Sequence, residues 1–211
     1  MRTDPLIARL CNELAAERRA HTILLYGSRA DGSANQFSDY DVAAFADVPR
    51  TVRDTRILDG QFLDVFVHPE AILKEPTAEY LSLRDSKVLA QRGGEATEFL
   101  ARLDAIFHAG PDPLPEDEIG ARKVWAWKML ARMQRPDIEG NYRRTWLLTA
   151  LLEDYFHIRG LWYQGPKKSF IVLKNIDAQT FSAFDAALQP NAAIHSIRQL
   201  LKLVVGEPDH A

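Results

Sequence analysis

HTILLYGSRADGSANQFSDYDVAAFA, residues 21–46, contains two apolar runs separated by a polar segment. The first run ends at Gly27-Ser28, and the second begins with Asp39-Tyr40-Asp41. Short apolar runs that are bounded by glycine or by polar clusters are typical of buried strands. The stretch therefore predicts a strand, then a turn or helix start with a loop over residues 28–38, and a second strand over residues 40–46.

Two acidic side chains open the second predicted strand. Side chains alternate between the two faces of a strand, so Asp39 and Asp41 project to the same side, about 7 Å apart along the chain. Mg²⁺ prefers a few carboxylates together with phosphate oxygens of a substrate. The pair is therefore a candidate metal platform.

The turn between the strands has the residue types of a phosphate site. Glycine at position 27 lets the backbone approach a ligand, and a helix start after it points N–H groups at an anion. Ser28 adds a hydroxyl donor. Arg29 adds a cation, which either contacts phosphate or forms a surface salt bridge.

A third acid, Asp64, lies in the apolar run ILDGQFLDVFVHP, residues 57–69, which predicts a third strand. A charged side chain in such a run is out of place unless it has a function. If this strand lies beside the strand of Asp39 and Asp41, the three carboxylates converge. Their mutual repulsion would favour a pair of divalent cations, which are typically about 3.5 to 4 Å apart in two-metal sites.

These residues together resemble the DNA polymerase β-like nucleotidyltransferase superfamily. Its signature is an apolar residue before Gly-Ser, a polar spacer, and then Asp-apolar-Asp-apolar. Here Tyr26-Gly27-Ser28 is followed by the ten residues 29–38 and by Asp39-Tyr40-Asp41-Val42. The resemblance implies that Asp39, Asp41 and Asp64 bind two Mg²⁺ ions and act in catalysis. It also implies that Gly27 and Ser28 hold the triphosphate of ATP or another NTP.

The rest of the chain predicts an α/β (α+β) N-terminal domain with a small mixed sheet, followed by an all-α helical bundle. A helix over 4–19, a short strand over 87–91 and a helix over 95–108 complete a first domain at residues 1–110. Prolines at 111, 113 and 115 mark a boundary, and the second domain spans residues 115–211. Its predicted helices cover residues 116–135, 141–160, 166–174, 178–188 and 191–205.

The two-domain plan is similar to that of the kanamycin and streptomycin/spectinomycin nucleotidyltransferases, whose helical bundles close over the substrate. By this likeness Asp154 is a candidate catalytic base. Helix phase makes Glu153 a second candidate, since it shares the polar face of the same predicted helix with His157, four residues later. The helix phase equally allows Asp154 at a core boundary and Glu153 on a solvated face. Lys167 and Lys168, at a predicted helix start, either reach the triphosphate or are surface charges.

Composition limits the partners. The net charge of −3 argues against a nucleic-acid partner. One cysteine, no signal-like N-terminus and no long apolar run favour the cytoplasm and no membrane association. Kanamycin-type enzymes can build a site across two subunits, so a homodimer stays open.

Three functions fit these features. The leading hypothesis is transfer of a nucleoside monophosphate, AMP from ATP, to a hydroxyl of a small molecule, such as an aminoglycoside-like compound. One alternative is an antitoxin-like protein that AMPylates a partner protein. The other is a nucleotide-binding regulator without turnover.

Overall fold

A computed structural model describes residues 4–207 of the chain. The chain forms two compact units, which divide between Ala109 and Gly110. Within residues 4–207 no helix has both the length and the apolar character needed to cross a bilayer. The predicted fold class, a mixed sheet with helices followed by a helical region, is confirmed.

The first unit is organised around five strands. Two short 3-10 turns, Glu70–Leu73 and Ala78–Leu83, connect the fourth strand to the fifth. The Asp4 side chain caps the first helix by accepting from the Leu6 N–H at 2.9 Å. In residues 4–109 the elements are α1 (Pro5–Arg18), β1 (Thr22–Tyr26), α2 (Ser28–Asp31), β2 (Tyr40–Ala46), β3 (Val52–Leu58), β4 (Gln61–Pro69), β5 (Lys87–Ala90) and α3 (Glu95–Ala109).

The strand order in the sheet is β3-β4-β2-β1-β5. β2 and β4 are parallel, and the other neighbours are antiparallel. Helices cover both faces of the central strands, which explains why the runs of β1 and β2 are apolar throughout. On one face, α1 contributes Leu10 and Leu14 to a cluster with Ile23, Leu25, Val42 and Val65. On the other face, α3 contributes Phe99 and Leu103 to a cluster with Leu24, Ala43 and Phe45.

The predicted third strand over residues 57–69 was wrong as a single element. The structure has a hairpin there, with Leu58 paired to Gln61 across the two-residue turn Asp59-Gly60. Both turn residues have positive φ, 51° and 76°. Asp-Gly is a preferred sequence for such turns, since the twist of a two-residue loop with both φ values positive matches the twist of the strands.

The second unit is helical. Asp137 caps its longest helix, because the Asp137 side chain accepts from the Gly140 N–H at 2.8 Å. That helix supplies much of the core, including Leu147, Leu151 and Phe156. In residues 110–207 the helices are α4 (Glu116–Arg132), α5 (Ile138–Ile158), α6 (Gly165–Ile176), α7 (Ala178–Leu188) and α8 (Ile194–Val205).

Candidate active site

Two of the predicted site aspartates are neighbours on adjacent strands. β2 and β4 are parallel in a register that pairs Asp41 with Asp64. Paired residues of neighbouring strands lie about 4.8 Å apart and direct their side chains to the same face. Asp39 lies one residue before β2, and strand alternation places it on the face of Asp41. The strand adjacency that the sequence left open is therefore confirmed.

Gly27 lies directly against the carboxylate of Asp41. β1 pairs Tyr26 with Asp41, so the chain leaves β1 beside this side chain. Gly27 has φ 67° and ψ −156°, a conformation that is essentially restricted to glycine. A Cβ atom at this position would lie 2.2 Å from Asp41 Oδ2. Glycine is thus required both by the backbone conformation and by the close approach of Asp41.

The turn after Gly27 is the start of α2. The N–H groups of Ala30 and Asp31 donate to the Gly27 carbonyl at 3.0 and 3.2 Å. The first N–H groups of any helix have no acceptor within the helix. The N–H groups at Ser28 and Arg29 therefore occupy positions where an external anion is the natural acceptor.

Negative charge is concentrated at this point of the sheet. Burial, and then the neighbouring carboxylates of Asp39 and Asp64, raise the pKa of Asp41 to about 6. The pKa of the Tyr26 hydroxyl is raised by burial and then by Asp41 and Asp64. Carboxylates that share a site disfavour one another's ionisation. The charges of Asp39, Asp41 and Asp64 therefore lie close enough to influence the same ionisable groups.

Asp64 has a cationic partner that was not predicted. Arg53, on β3, donates from Nε to Asp64 Oδ1 and from NH2 to Asp64 Oδ2, both at 2.8 Å. Bidentate arginine–carboxylate pairs are among the stronger ion pairs. The Arg53 guanidinium also lies 5.1 Å from the ring centre of Phe66.

The Asp-Gly turn could have revealed Arg53. A two-residue loop at Asp59-Gly60 pairs residue 58 with 61, and counting back along both strands pairs Thr55 with Asp64. Arg53 is two residues from Thr55, so it lies on the same face of the sheet. The sequence therefore contains the signal for Arg53, but the prediction of one strand over residues 57–69 hides it.

The three carboxylates have the donor atoms that a divalent cation binds, but their side chains are not arranged as a complete coordination site. Within residues 4–207, no group of three or more His, Cys, Asp or Glu side chains is arranged to hold a metal ion. Both oxygens of Asp64 accept hydrogen bonds from Arg53. Oxygen donors of this type suit Mg²⁺. A cation would relieve the repulsion from Asp39 and Asp64, which adds to burial in raising the pKa of Asp41.

Arg29 holds the segment that leads into β2. It donates from Nε to the Asp39 carbonyl at 2.9 Å and from NH2 to the Ser38 carbonyl at 2.6 Å. It also donates to Gln61 Oε1 at 3.0 Å and stacks on Tyr40 at 3.7 Å. These contacts differ from a surface salt bridge, and they assign Arg29 a positioning role. Its contact with phosphate stays a prediction.

We expect Arg29→Gln to loosen the Asp39 segment. The substitution removes the bonds to two backbone carbonyls and should lower the free energy of unfolding by about 1–2 kcal/mol. Hydrogen exchange of the amides between residues 32 and 41 should become faster, as measured by mass spectrometry. Arg102→Gln is the matched control, because Arg102 donates to the Leu73 carbonyl elsewhere in the same unit. Unchanged exchange together with weaker binding of a nucleoside triphosphate would instead indicate a direct phosphate contact.

Asp154 is buried in the second unit, at 4% exposure. Its Oδ1 accepts from Arg122 NH1 at 2.6 Å. Burial raises the pKa of Asp154, although the bond from Arg122 opposes the shift. The predicted position at a core boundary is close to what is observed. The partner Arg122 was missed because it lies on another helix, 32 residues away in sequence.

A groove of about 330 Å³ adjoins this ion pair. The ring centres of Trp125 and Trp146 are 5.3 Å apart in an edge-to-face arrangement. Trp146 is 49% exposed, and Glu153 is half-buried. The groove is lined by Ala121, Arg122, Trp125, Trp146, Ala150, Glu153 and Asp154.

Lys167 and Lys168 lie in the first turn of α6, after Pro166. Lys167 is exposed and Lys168 is half-buried. Their predicted contact with a triphosphate stays a prediction.

Of three comparisons with known proteins, only the comparison with solved structures finds matches. No protein-family model and no curated protein matches the chain. Among solved structures, the chain is similar to a nucleotidyltransferase-like protein from Exiguobacterium sibiricum 255-15. The identity is 15%, the TM-score is 0.42, and the match covers 94% of this chain and 75% of that chain. At this identity and TM-score, the match assigns neither a family nor an activity to this chain.

Proposed function

We propose that this protein transfers a nucleoside monophosphate, AMP from ATP, to a hydroxyl group of a small-molecule acceptor. The observation that carries the proposal is the pairing of Asp41 with Asp64 on parallel neighbouring strands, with Gly27 packed against Asp41. This arrangement supports metal binding by the carboxylates and phosphate binding by the turn beside them. Nucleotidyl transfer needs both at one point, because the reacting phosphate lies between the metal ligands and the triphosphate cradle.

The residues divide this work between them. Asp39, Asp41 and Asp64 would hold Mg²⁺. Bound Mg²⁺ would activate the acceptor hydroxyl and neutralise charge on the leaving pyrophosphate. The backbone N–H groups after Gly27 and the Ser28 hydroxyl would bind phosphate oxygens. Arg29 keeps Asp39 in position through the two carbonyl bonds.

The groove of the second unit supports an amine-bearing acceptor. Its lining combines one arginine with two carboxylates and two indole rings. Arg122 is already bonded to Asp154 and to Glu118, so its positive charge is compensated. A cationic ligand with a ring-shaped body would gain a carboxylate partner at Glu153 and a cation–π contact on Trp146. Aminoglycosides have this chemistry.

We expect Trp146→Ala to weaken acceptor binding selectively. Loss of the exposed indole should raise the acceptor KM about tenfold, since a cation–π contact contributes about 1–2 kcal/mol. The KM for ATP should stay unchanged. Trp127→Phe is the control, because the Trp127 indole donates to the Gly206 carbonyl and does not line the groove. Equal acceptor KM values in the two variants would remove the groove from the acceptor site.

The function is tested by an acceptor screen with the purified full chain, Mg²⁺ and ATP labelled at the α-phosphate. Pyrophosphate release and transfer of label are measured together over aminoglycosides, neutral sugars and candidate protein acceptors. We expect Mg²⁺-dependent labelling of an amine-bearing small molecule, and no labelling from ATP that carries the label on the γ-phosphate. Labelling of a protein would support the AMPylation alternative. ATP binding without pyrophosphate release over the whole panel would contradict enzymatic transfer and support a regulator.

A further inference from the structure

We propose that Arg53 is a counter-cation that changes partner when ligands bind. Without metal its guanidinium pairs with the Asp64 carboxylate, and when metal and nucleotide bind it leaves Asp64 and pairs with the triphosphate. This inference rests on the proposed function, and it deepens that function by assigning the order in which the ligands become tightly bound.

The contact geometry favours exchange over a fixed structural pair. Both carboxylate oxygens of Asp64 accept hydrogen bonds from Arg53. A metal ion that binds Asp64 must therefore displace the guanidinium or share these oxygens with it. The Arg53 side chain is 59% exposed, whereas the Asp64 side chain is 20% exposed. The arginine therefore reaches into the site from the surface, and its withdrawal moves a solvated group and leaves the core undisturbed.

The arrangement of acids on the sheet explains why Asp64 has an arginine partner. Asp41 pairs with Asp64 on the neighbouring strand, and Asp39 lies two residues before Asp41 on the same face of the sheet. Three carboxylates on one face repel one another, and a cation on Asp64 reduces that repulsion before any metal is bound. The same cation repels an incoming divalent ion. The protein without nucleotide should therefore bind metal weakly.

A triphosphate provides Arg53 with an alternative partner. The planar guanidinium matches phosphate oxygens as well as it matches a carboxylate. Binding of Mg-ATP supplies this anion and the metal together, so Arg53 moves from one partner to another without becoming an unpaired charge. Metal and nucleotide binding should then be positively coupled, and the coupling should depend on Arg53.

The experiment measures Mn²⁺ binding to the full chain without nucleotide, by electron paramagnetic resonance of the free ion. Arg53→Gln should bind Mn²⁺ about tenfold more tightly than the wild type, because an ion pair and a like charge are removed together. Arg53→Lys keeps the charge without the bidentate fork and should lie between the two. Arg9→Gln is the matched control, since Arg9 has a similar exposure, 57%, and pairs with the exposed Asp59. We expect no change in that variant.

A double-mutant cycle separates exchange at Asp64 from a general charge effect. In an Asp64→Asn background, Arg53→Gln should change Mn²⁺ affinity only about two- to threefold, because the like-charge repulsion remains but the carboxylate that Arg53 occupies is gone. A purely electrostatic effect would persist at its full, about tenfold, size in that background and would leave Arg53→Lys equal to the wild type. Either of these results would overturn the proposal. Urea denaturation of each variant verifies that it is folded.

The outcomes also separate this proposal from the proposed function. If Mn²⁺ binding requires Asp41 but is the same in the wild type and in Arg53→Gln, the exchange is overturned and nucleotidyl transfer stands. If Mn²⁺ binding is absent from every variant, or is independent of Asp41, both are overturned.

Discussion

Asp41→Asn is expected to abolish nucleotidyl transfer and, at neutral pH, to make the metal-free protein more stable. The loss of rate should be about a thousandfold or more, the size seen when a group that stabilises the transition-state charge is removed. Asparagine keeps the shape of the side chain but has no charge to hold Mg²⁺. Transfer of α-labelled phosphate measures the rate.

The stability effect follows from the pKa of Asp41, which is about 6 in the folded chain against an ordinary value of 3.8. Below pH 3.8 the group is protonated in both states, and the substitution should change little. As the pH rises to about 6, the unfolded chain loses this proton first, so the wild type loses stability that the asparagine variant keeps. Above pH 6 the difference should reach a plateau of about 2–3 kcal/mol.

Urea denaturation in EDTA between pH 4 and 8 measures this difference. Asp47→Asn is the control, because Asp47 is exposed and lies beyond the other end of β2. A pH-independent difference between wild type and Asp41→Asn would show that Asp41 does not titrate abnormally. Retained metal-dependent transfer in Asp41→Asn would contradict the proposed function itself.

The part of the site that the sequence predicted well is the part in which neighbours in sequence are neighbours in space. Gly27, Asp39 and Asp41 lie on one strand–turn–strand segment, so strand alternation and turn chemistry suffice to bring them together. Asp64 needed a pairing between β2 and β4, which are separated by β3. An acid in an apolar run indicated a function, but only the tertiary structure shows its neighbour.

The arginines show what residue patterns leave undetermined. Arg29, Arg53 and Arg122 each have a long side chain that reaches acceptors on another segment. The choice among acceptors depends on rotamers and on strand register, neither of which a single sequence specifies. Arg53 was within reach once the Asp-Gly hairpin was recognised, because a two-residue turn determines the register of its strands. Arg122 on α4 pairs with Asp154 on α5, and only the packed structure shows which faces of these two helices meet.

The second large effect is expected for Gly27→Ala, which should lower transfer about a hundredfold or more while the protein stays folded. The added Cβ would lie 2.2 Å from Asp41 Oδ2 and 3.0 Å from its Cγ. The carboxylate is the end of a short side chain, so it can rotate away from the methyl group. Such a rotation removes it from its place beside Asp64. The strained backbone should also cost about 1–3 kcal/mol of unfolding free energy.

Gly32→Ala separates the two effects. Gly32 has φ 82°, so alanine there is also strained, but its added Cβ would have no atom within 4 Å. This control should lose about 1–2 kcal/mol of stability and keep near-normal transfer. Transfer rates and urea midpoints of both variants are compared with the wild type. If Gly27→Ala loses stability only to the extent of Gly32→Ala and keeps its rate, the contact with Asp41 has no catalytic importance. If the transfer rate and the Mn²⁺ affinity of Gly27→Ala both fall, the contact with Asp41 explains the glycine. Position 27 then requires glycine because the Asp41 carboxylate, which would hold the metal, lies against the backbone there.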